Sequence, residues 1–175
     1  MFSLIELEND FEKGLESFAR GDHHSAIYYY TKVIESNPTY AAAYYNRGNS
    51  HDELKNNKEA FADYTKAIEI DPLYVEAYYN RANTYAQMKK YRCAIVDYNK
   101  AIEIDPLYAE AYNNRGNAYA HIKEYREAVT NFSRAIEIDP GMAAAYFNRA
   151  TARAAMGETN EAEYDFEKFR SLILV

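Results

Sequence analysis

Apolar residues recur along this chain at helical spacing, in pairs of stretches separated by short polar interruptions. Over residues 75–108, Tyr78, Ala82, Tyr85 and Met88 stand at i, i+4, i+7 and i+10, one stripe of an amphipathic helix. Lys89-Lys90-Tyr91 interrupts the pattern. Ala94, Ile95, Tyr98, Ala101 and Ile102 then form a second stripe at i, i+1, i+4, i+7 and i+8. Asp105-Pro106 ends it, because the residue before proline is pushed out of the helical region. The unit predicted is helix, short turn, helix, tight turn. No stretch of useful length alternates with period 2, so strands are not expected.

The unit repeats. Pro38, Pro72, Pro106 and Pro140 are each 34 residues apart. Glu69-Ile70-Asp71-Pro72 recurs as Glu103-Ile104-Asp105-Pro106 and Glu137-Ile138-Asp139-Pro140. Tyr45-Asn46-Arg47-Gly48-Asn49 recurs as Tyr79-Asn80-Arg81-Ala82-Asn83 and Asn113-Asn114-Arg115-Gly116-Asn117. A period of this length signals stacked supersecondary units, none of which buries its apolar face alone.

These residues resemble the tetratricopeptide repeat, whose pattern has an aromatic, then Gly or Ala, then Tyr in the first helix, and Ala, an aromatic, Ala and a final Pro in the second. The second unit offers Tyr44, Gly48, Ala60, Tyr64, Ala67 and Pro72, with His51 at the usual Tyr. The third offers Tyr78, Ala82, Tyr85, Ala94, Tyr98, Ala101 and Pro106. The fourth offers Tyr112, Gly116, Tyr119, Ala128, Phe132, Ala135 and Pro140. The ends depart from the pattern. The first unit has Asp10 at the early aromatic, with Phe11 or Leu7 available to fill the gap, and the last has Arg153 at the inner Tyr. The resemblance implies an all-α, right-handed superhelical solenoid: a single array over 1–175, with repeats at about 7–40, 41–74, 75–108, 109–142 and 143–175.

Several recurring residues have packing explanations. Gly48, Ala82, Gly116 and Ala150 are expected opposite Ala60, Ala94, Ala128 and Ala162, where small side chains let helices approach closely. Tyr64, Tyr78, Tyr85, Tyr98, Tyr112 and Tyr119 are expected to bury their rings between helices, hydroxyls at the edge. Arg47, Arg81, Arg115 and Arg149 precede the small position by one residue, and Asp63, Asp97, Asn131 and Asp165 follow them by sixteen. Each Arg is predicted to cross to the second helix of its own unit and meet that residue, fixing helix register.

The asparagines have no such explanation. Asn46, Asn49, Asn80, Asn83, Asn113, Asn114, Asn117 and Asn148 all fall inside first helices. Asn is a poor helix former, and eight of them forfeit roughly 5 kcal/mol against Ala. They fall off the apolar stripe and are expected to face away from the second helices. The resemblance implies that this side lines the concave groove where partner peptides bind. One row would hold Asn46, Asn80, Asn114 and Asn148. A second would hold Asn49, Asn83, Asn117 and Thr151, and a third Tyr45, Tyr79, Asn113 and Phe147. Such rows are similar to the asparagine ladder in the repeat domain of the O-linked N-acetylglucosamine transferases. A carboxamide offers both a donor and an acceptor, as a peptide unit needs, and reads no side chain. Inheritance by duplication is the competing explanation. The carboxylate clamp of chaperone-binding relatives does not fit. Asn49 and Asn80 match it, but Tyr45, Glu110 and Asn114 stand at its basic places. The partner expected is therefore an internal, neutral or basic extended segment.

Charge and composition narrow the function. The net charge is −7 and no Lys/Arg cluster exists, which argues against nucleic acid. No apolar run reaches ~18 residues, so no membrane span is expected. Cys93 is the single cysteine and the start lacks a signal-peptide pattern, so a cytoplasmic location is expected. His23, His24, His51 and His121 are scattered and read as surface residues; no metal, cofactor or catalytic set is expected. The reading is a non-enzymatic protein-interaction scaffold. Two alternatives remain open. One is self-association as a homo-oligomer through the apolar C-terminal residues Phe166, Phe169, Leu172, Ile173, Leu174 and Val175. The other is a repeat domain of a larger catalytic protein.

Overall fold

The computed structural model describes residues 4–174, with side chains from Glu6 onward. Ten α-helices lie among the described residues, and no strand. They are α1 (Leu4–Ala19), α2 (His23–Ser36), α3 (Ala41–Glu53), α4 (Asn57–Ile70), α5 (Val75–Gln87), α6 (Tyr91–Ile104), α7 (Ala109–His121), α8 (Tyr125–Ile138), α9 (Ala143–Ala155) and α10 (Thr159–Ile173). Two compact units divide the chain between Thr84 and Tyr85.

The turn inside each repeat has one recurring geometry. Gly21, Lys55, Lys89, Lys123 and Gly157 all have φ between 59° and 82°. They stand 34 residues apart. The following amide closes each turn on a carbonyl five residues back, as in Asn56 to His51 at 2.9 Å and Glu124 to Tyr119 at 3.0 Å. This is the left-handed helix stop, which favours glycine because a side chain crowds the backbone there. Three of the five positions nevertheless carry lysine.

The turn between repeats uses the Asp-Pro pair. Asp71, Asp105 and Asp139 leave the helix in extended geometry, with ψ of 96°, 96° and 93°. Their carboxylates accept the amides of Leu73, Leu107 and Gly141 at 3.0, 2.9 and 2.9 Å. Proline stops the helix and aspartate caps the chain beyond it.

In the first unit α1 packs on α2, α2 on α3 and α3 on α4. Tyr44, Ala67, Ile68 and Ala77 form a buried cluster there, flanked by Ile34, Tyr45, Ile70, Tyr74 and Tyr78. In the second unit α6 packs on α7, α7 on α8, α8 on α9 and α9 on α10. Ala128, Phe132 and Ala152 are buried together, flanked by Tyr119, Ala120, Tyr125 and Val129.

At Gly48 and Gly116 the nearest neighbours are rings rather than the alanines expected. A Cβ on Gly48 would stand 2.8 Å from the Tyr64 ring, and one on Gly116 would stand 2.6 Å from the Phe132 ring. At these two places the ring of the second helix leaves no room for a Cβ. The sequence pattern paired residues by size alone and missed the ring lying across the first helix.

At the start, Phe11 takes the aromatic place, its ring 5.7 Å from Tyr30 and 5.1 Å from Tyr40. Asp10 is buried and meets Lys32 at 2.7 Å. At the other end, Phe166 and Phe169 are not bare: Phe147 lies 5.8 and 5.2 Å from their rings. Leu172, Ile173 and Leu174 stay exposed at 37%, 57% and 83%. Val175 lies outside the described residues.

Candidate functional site

Four arginines stitch the repeats. Arg47 donates from Nε and Nη2 to the two Asp63 oxygens at 2.8 and 2.7 Å. Arg149 does the same to Asp165 at 2.9 and 2.6 Å. Arg115 reaches only Oδ1 of Asn131, at 2.7 Å. These are the pairs the sixteen-residue spacing predicted.

The same arginines also reach backward, which the sequence reading did not foresee. Their Nη1 groups donate to Thr31, Thr65, Asn99 and Ser133 of the preceding repeat, at 3.0, 3.2, 2.6 and 3.0 Å. Each acceptor lies sixteen residues before its Arg. The signal was present in the chain: a small polar residue holds that place in four successive repeats. The guanidiniums of Arg47, Arg81, Arg115 and Arg149 also lie 5.2–5.7 Å from the ring three residues earlier, Tyr44, Tyr78, Tyr112 and Tyr146. At Arg47, Arg115 and Arg149 one planar cation thus holds two second helices and an aromatic ring.

The asparagines are less detached from the second helices than expected. In the first unit, Asn49 Oδ1 accepts both the Tyr64 hydroxyl and Asn80 Nδ2, each at 2.9 Å. Asn80 Nδ2 also lies 3.2 Å from the Tyr45 hydroxyl. Asn46 Nδ2 turns back to the Ala42 carbonyl at 2.8 Å. Tyr45 is half-buried with its ring 4.9 Å from Tyr74, and burial raises its hydroxyl pKa against the bonds to Asn49 and Asn80. Tyr79 and Asn83 are partly buried on α5. These carboxamides bind one another and the tyrosines. Part of the helix propensity they forfeit has a structural return.

In the second unit, Asn148 Nδ2 donates to Asn113 Oδ1 at 3.1 Å, and Asn113 Nδ2 to Asn114 Oδ1 at 3.1 Å. Asn113 is buried, so the third row of residues is not uniformly open. Its contact with Asn148 spans thirty-five positions, the same register as Tyr45 with Asn80.

Asn117 differs from Asn49. Phe132 stands where Tyr64 stands in the earlier repeat, so no hydroxyl reaches the Asn117 carboxamide. Among the described residues that carboxamide has no hydrogen-bond partner. It lines a cavity of about 310 Å³ between α7, α8 and α9, with His121, Tyr125, Phe147, Asn148 and Thr151 also in the wall. Phe147 is 45% exposed. The reverse mismatch occurs in the first repeat: Leu15 replaces the Asn, and the Tyr30 hydroxyl is buried without a partner, its pKa pushed up to about 12 by burial.

The histidines are not all surface groups. His51 is partly buried, with Nδ1 unpartnered, and burial holds its pKa below the ordinary imidazole value. His121 is exposed and stacks on Tyr91 at 4.5 Å. Cys93 is exposed. Among the described residues no group of three or more His, Cys, Asp or Glu could hold a metal ion. No helix among them is long and apolar enough to cross a membrane.

Comparison with known proteins agrees with this geometry. A human protein, sperm-associated antigen 1, is 42% identical over a 66-residue alignment that covers 34% of this chain and 7% of that protein. The crystal structure of MamA superposes with a TM-score of 0.87 at 24% identity, over 95% of this chain and 91% of that one. MamA from residue 41 to its end, of Desulfovibrio magneticus RS-1, gives 0.89 at 17% identity over 95% and 94%. YrrB, described as a TPR protein with an unusual peptide-binding site, gives 0.80 at 22% identity over 93% and 84%. At these identities the structures share the fold. The tetratricopeptide repeat pattern itself matches residues 41–74, 75–108 and 109–142. With that match covering more than half of its length, the chain belongs to the tetratricopeptide repeat family.

Proposed function

We propose that this protein is a non-enzymatic interaction scaffold that captures an extended peptide segment, and that its principal seat is the cavity between α7, α8 and α9. The observation that carries the reading is Asn117. Its carboxamide is partnered by nothing among the described residues, whereas Asn49 is engaged by Tyr64 and Asn80. A peptide unit supplies the donor and acceptor that Asn117 lacks. Asn148 adds a carbonyl, since only its Nδ2 is engaged, by Asn113. The exposed Phe147 ring offers apolar contact to one partner side chain. Family membership supports the scaffold reading, and YrrB is described as carrying a peptide-binding site. On this reading Tyr45, Asn46, Asn49, Tyr79, Asn80, Asn83, Asn113 and Asn114 contribute secondary contacts, because several already satisfy one another.

The test is a displayed peptide library selected against the full chain, with the selected peptides measured by fluorescence anisotropy. Asn117→Ala and Phe132→Tyr should each weaken binding about tenfold, the loss of one or two hydrogen bonds. The tyrosine variant acts by giving Asn117 an internal partner. Affinities unchanged in both variants would overturn this assignment.

A second reading rests on the exposed Leu172, Ile173 and Leu174 of the C-terminal end, which suit self-association. Sedimentation equilibrium separates the two. A mass that rises with concentration, and falls back when Leu172 and Leu174 are made polar, favours assembly.

A further inference from the structure

The arginine ladder has one broken rung. The sequence puts Asp at 63, 97 and 165 but Asn at 131. In Arg47 and Arg149 the guanidinium edge is filled: Nε meets one carboxylate oxygen and Nη2 the other. In Arg115, Nε meets Asn131 Oδ1 at 2.7 Å. The second atom of the Asn131 amide is a donor and cannot accept from Nη2. It turns away to the Glu127 carbonyl at 2.8 Å. Nη1 is occupied by Asn99 Oδ1 at 2.6 Å. Nη2 therefore has no partner among the described residues, and both groups that do bind Arg115 are neutral.

The charge is uncompensated as well. No carboxylate pairs with Arg115 among the described residues. Burial draws its pKa down, opposed only by Tyr119 and Tyr112. At Arg47 burial acts in the same direction, but the hydrogen bonds and charge of Asp63 outweigh it.

Arg115 lines a cavity of about 480 Å³ between α7 and α8, with Tyr112, Thr130, Ser133, Arg134 and Glu137 among its walls. Glu137 is the one acid in that wall, and Arg134 neutralises it at 2.9 Å. The net charge of the lining is thus that of Arg115.

We propose that this cavity is a carboxylate-binding site, in which a ligand carboxylate supplies to Arg115 the partner that Asp63 supplies to Arg47. With Nε held by Asn131, the ligand carboxylate accepts a charge-assisted bond from Nη2, the one edge nitrogen that is free here. The Asn131 carboxamide keeps the guanidinium in place without neutralising it. The carboxylate comes either from a small free acid or from an acidic side chain of a protein partner. This site does not depend on the peptide seat beside Asn117.

The experiment uses the full chain labelled with nitrogen-15, following the Arg115 Nε–H resonance assigned by its absence in Arg115→Lys. Sodium acetate is titrated at constant ionic strength against sodium chloride, and a capped peptide carrying one Asp is titrated in parallel. A saturable shift with acetate assigns a small acid as ligand. A shift with the peptide alone assigns an acidic side chain. In either case Asn131→Asp should weaken binding at least tenfold, because the internal carboxylate then fills the place. No saturable shift with either probe, or equal shifts in wild type and Asn131→Asp, would overturn the proposal. Should Arg115→Lys fail to fold, the Asn131→Asp comparison alone decides it.

Discussion

Asn80 donates its carboxamide to Asn49 at 2.9 Å across successive first helices, and the same Asn49 oxygen receives the Tyr64 hydroxyl. A residue that costs helix propensity thereby returns hydrogen bonds between repeats. Asn117 occupies the place equivalent to Asn49 and makes neither bond.

Opposite stability effects are expected at the two kinds of asparagine. Asn80→Ala removes the bonds to Asn49 and Tyr45, worth about 1 kcal/mol each, against a propensity gain of up to ~0.7 kcal/mol. The expected net loss is about 1 kcal/mol. Asn117→Ala breaks no internal bond and should gain about 0.5 kcal/mol. Urea unfolding of both variants checks this; a gain in both would mean that the carboxamide bonds contribute nothing to stability.

Asp165 should be the most sensitive rung of the arginine ladder. It is fully buried and accepts from Arg149 at 2.9 and 2.6 Å and from Arg153 at 2.7 Å. Asp165→Ala leaves Arg149 without its counter-charge and Arg153 with only the longer pair to Glu158 at 3.9 Å, an expected loss of about 3–5 kcal/mol. In a chain of this size that lowers the Tm by about 10 °C. Calorimetry showing a fall of only a degree or two would mean that the two arginines find other partners.

Three lysines hold a conformation that glycine holds at no steric cost. Lys55, Lys89 and Lys123 have φ of 60°, 59° and 64°. Replacing each by Gly should stabilise by about 0.5–1 kcal/mol, the relief of left-handed crowding less the added freedom of the unfolded chain. Thermal unfolding of the single and triple variants measures it. A lower Tm in all three would show that the lysine charge at the helix end outweighs the backbone term.

His51 adds an acid-sensitive contribution. Its folded pKa lies below the ordinary value because burial disfavours the charged ring; Arg47 acts the same way, and Asp63 and Glu59 oppose it. A depressed pKa means that the unfolded chain takes up the proton first. The stability is present above the unfolded pKa, about 6.5, and is lost as pH falls through the folded value. The Tm of His51→Gln should therefore decline less between pH 7.5 and 5.5 than that of wild type. Parallel curves would exclude His51 as a source of the pH dependence.

Period and proline were enough to place the repeats, because each helix end is a local event. Asp105-Pro106 ends α6 whatever surrounds it, and Tyr78, Ala82 and Tyr85 mark a stripe that needs no partner to be seen. The Arg–Asp pairs were also legible, since sixteen residues is a constant offset inside one repeat. The backward bonds to Thr31, Thr65, Asn99 and Ser133 share that offset in the opposite direction. They were missed because nothing local marks a threonine as the acceptor for the next repeat.

What the sequence by itself determined is the repeat: its length, its two helices, its turns and its small positions, all governed by local backbone preferences and by a pattern copied five times. What only the tertiary structure decided is which copies are equivalent in chemistry. Asn49 and Asn117 look alike in the chain. Tyr64 against Phe132, fifteen residues further on, occupies one carboxamide and leaves the other free. Arg47 and Arg115 look alike as well, until Asp63 and Asn131 are seen at their guanidiniums. A hydrogen bond exists only when donor and acceptor meet in space. The differences that leave groups unsatisfied are therefore written in packing rather than in period.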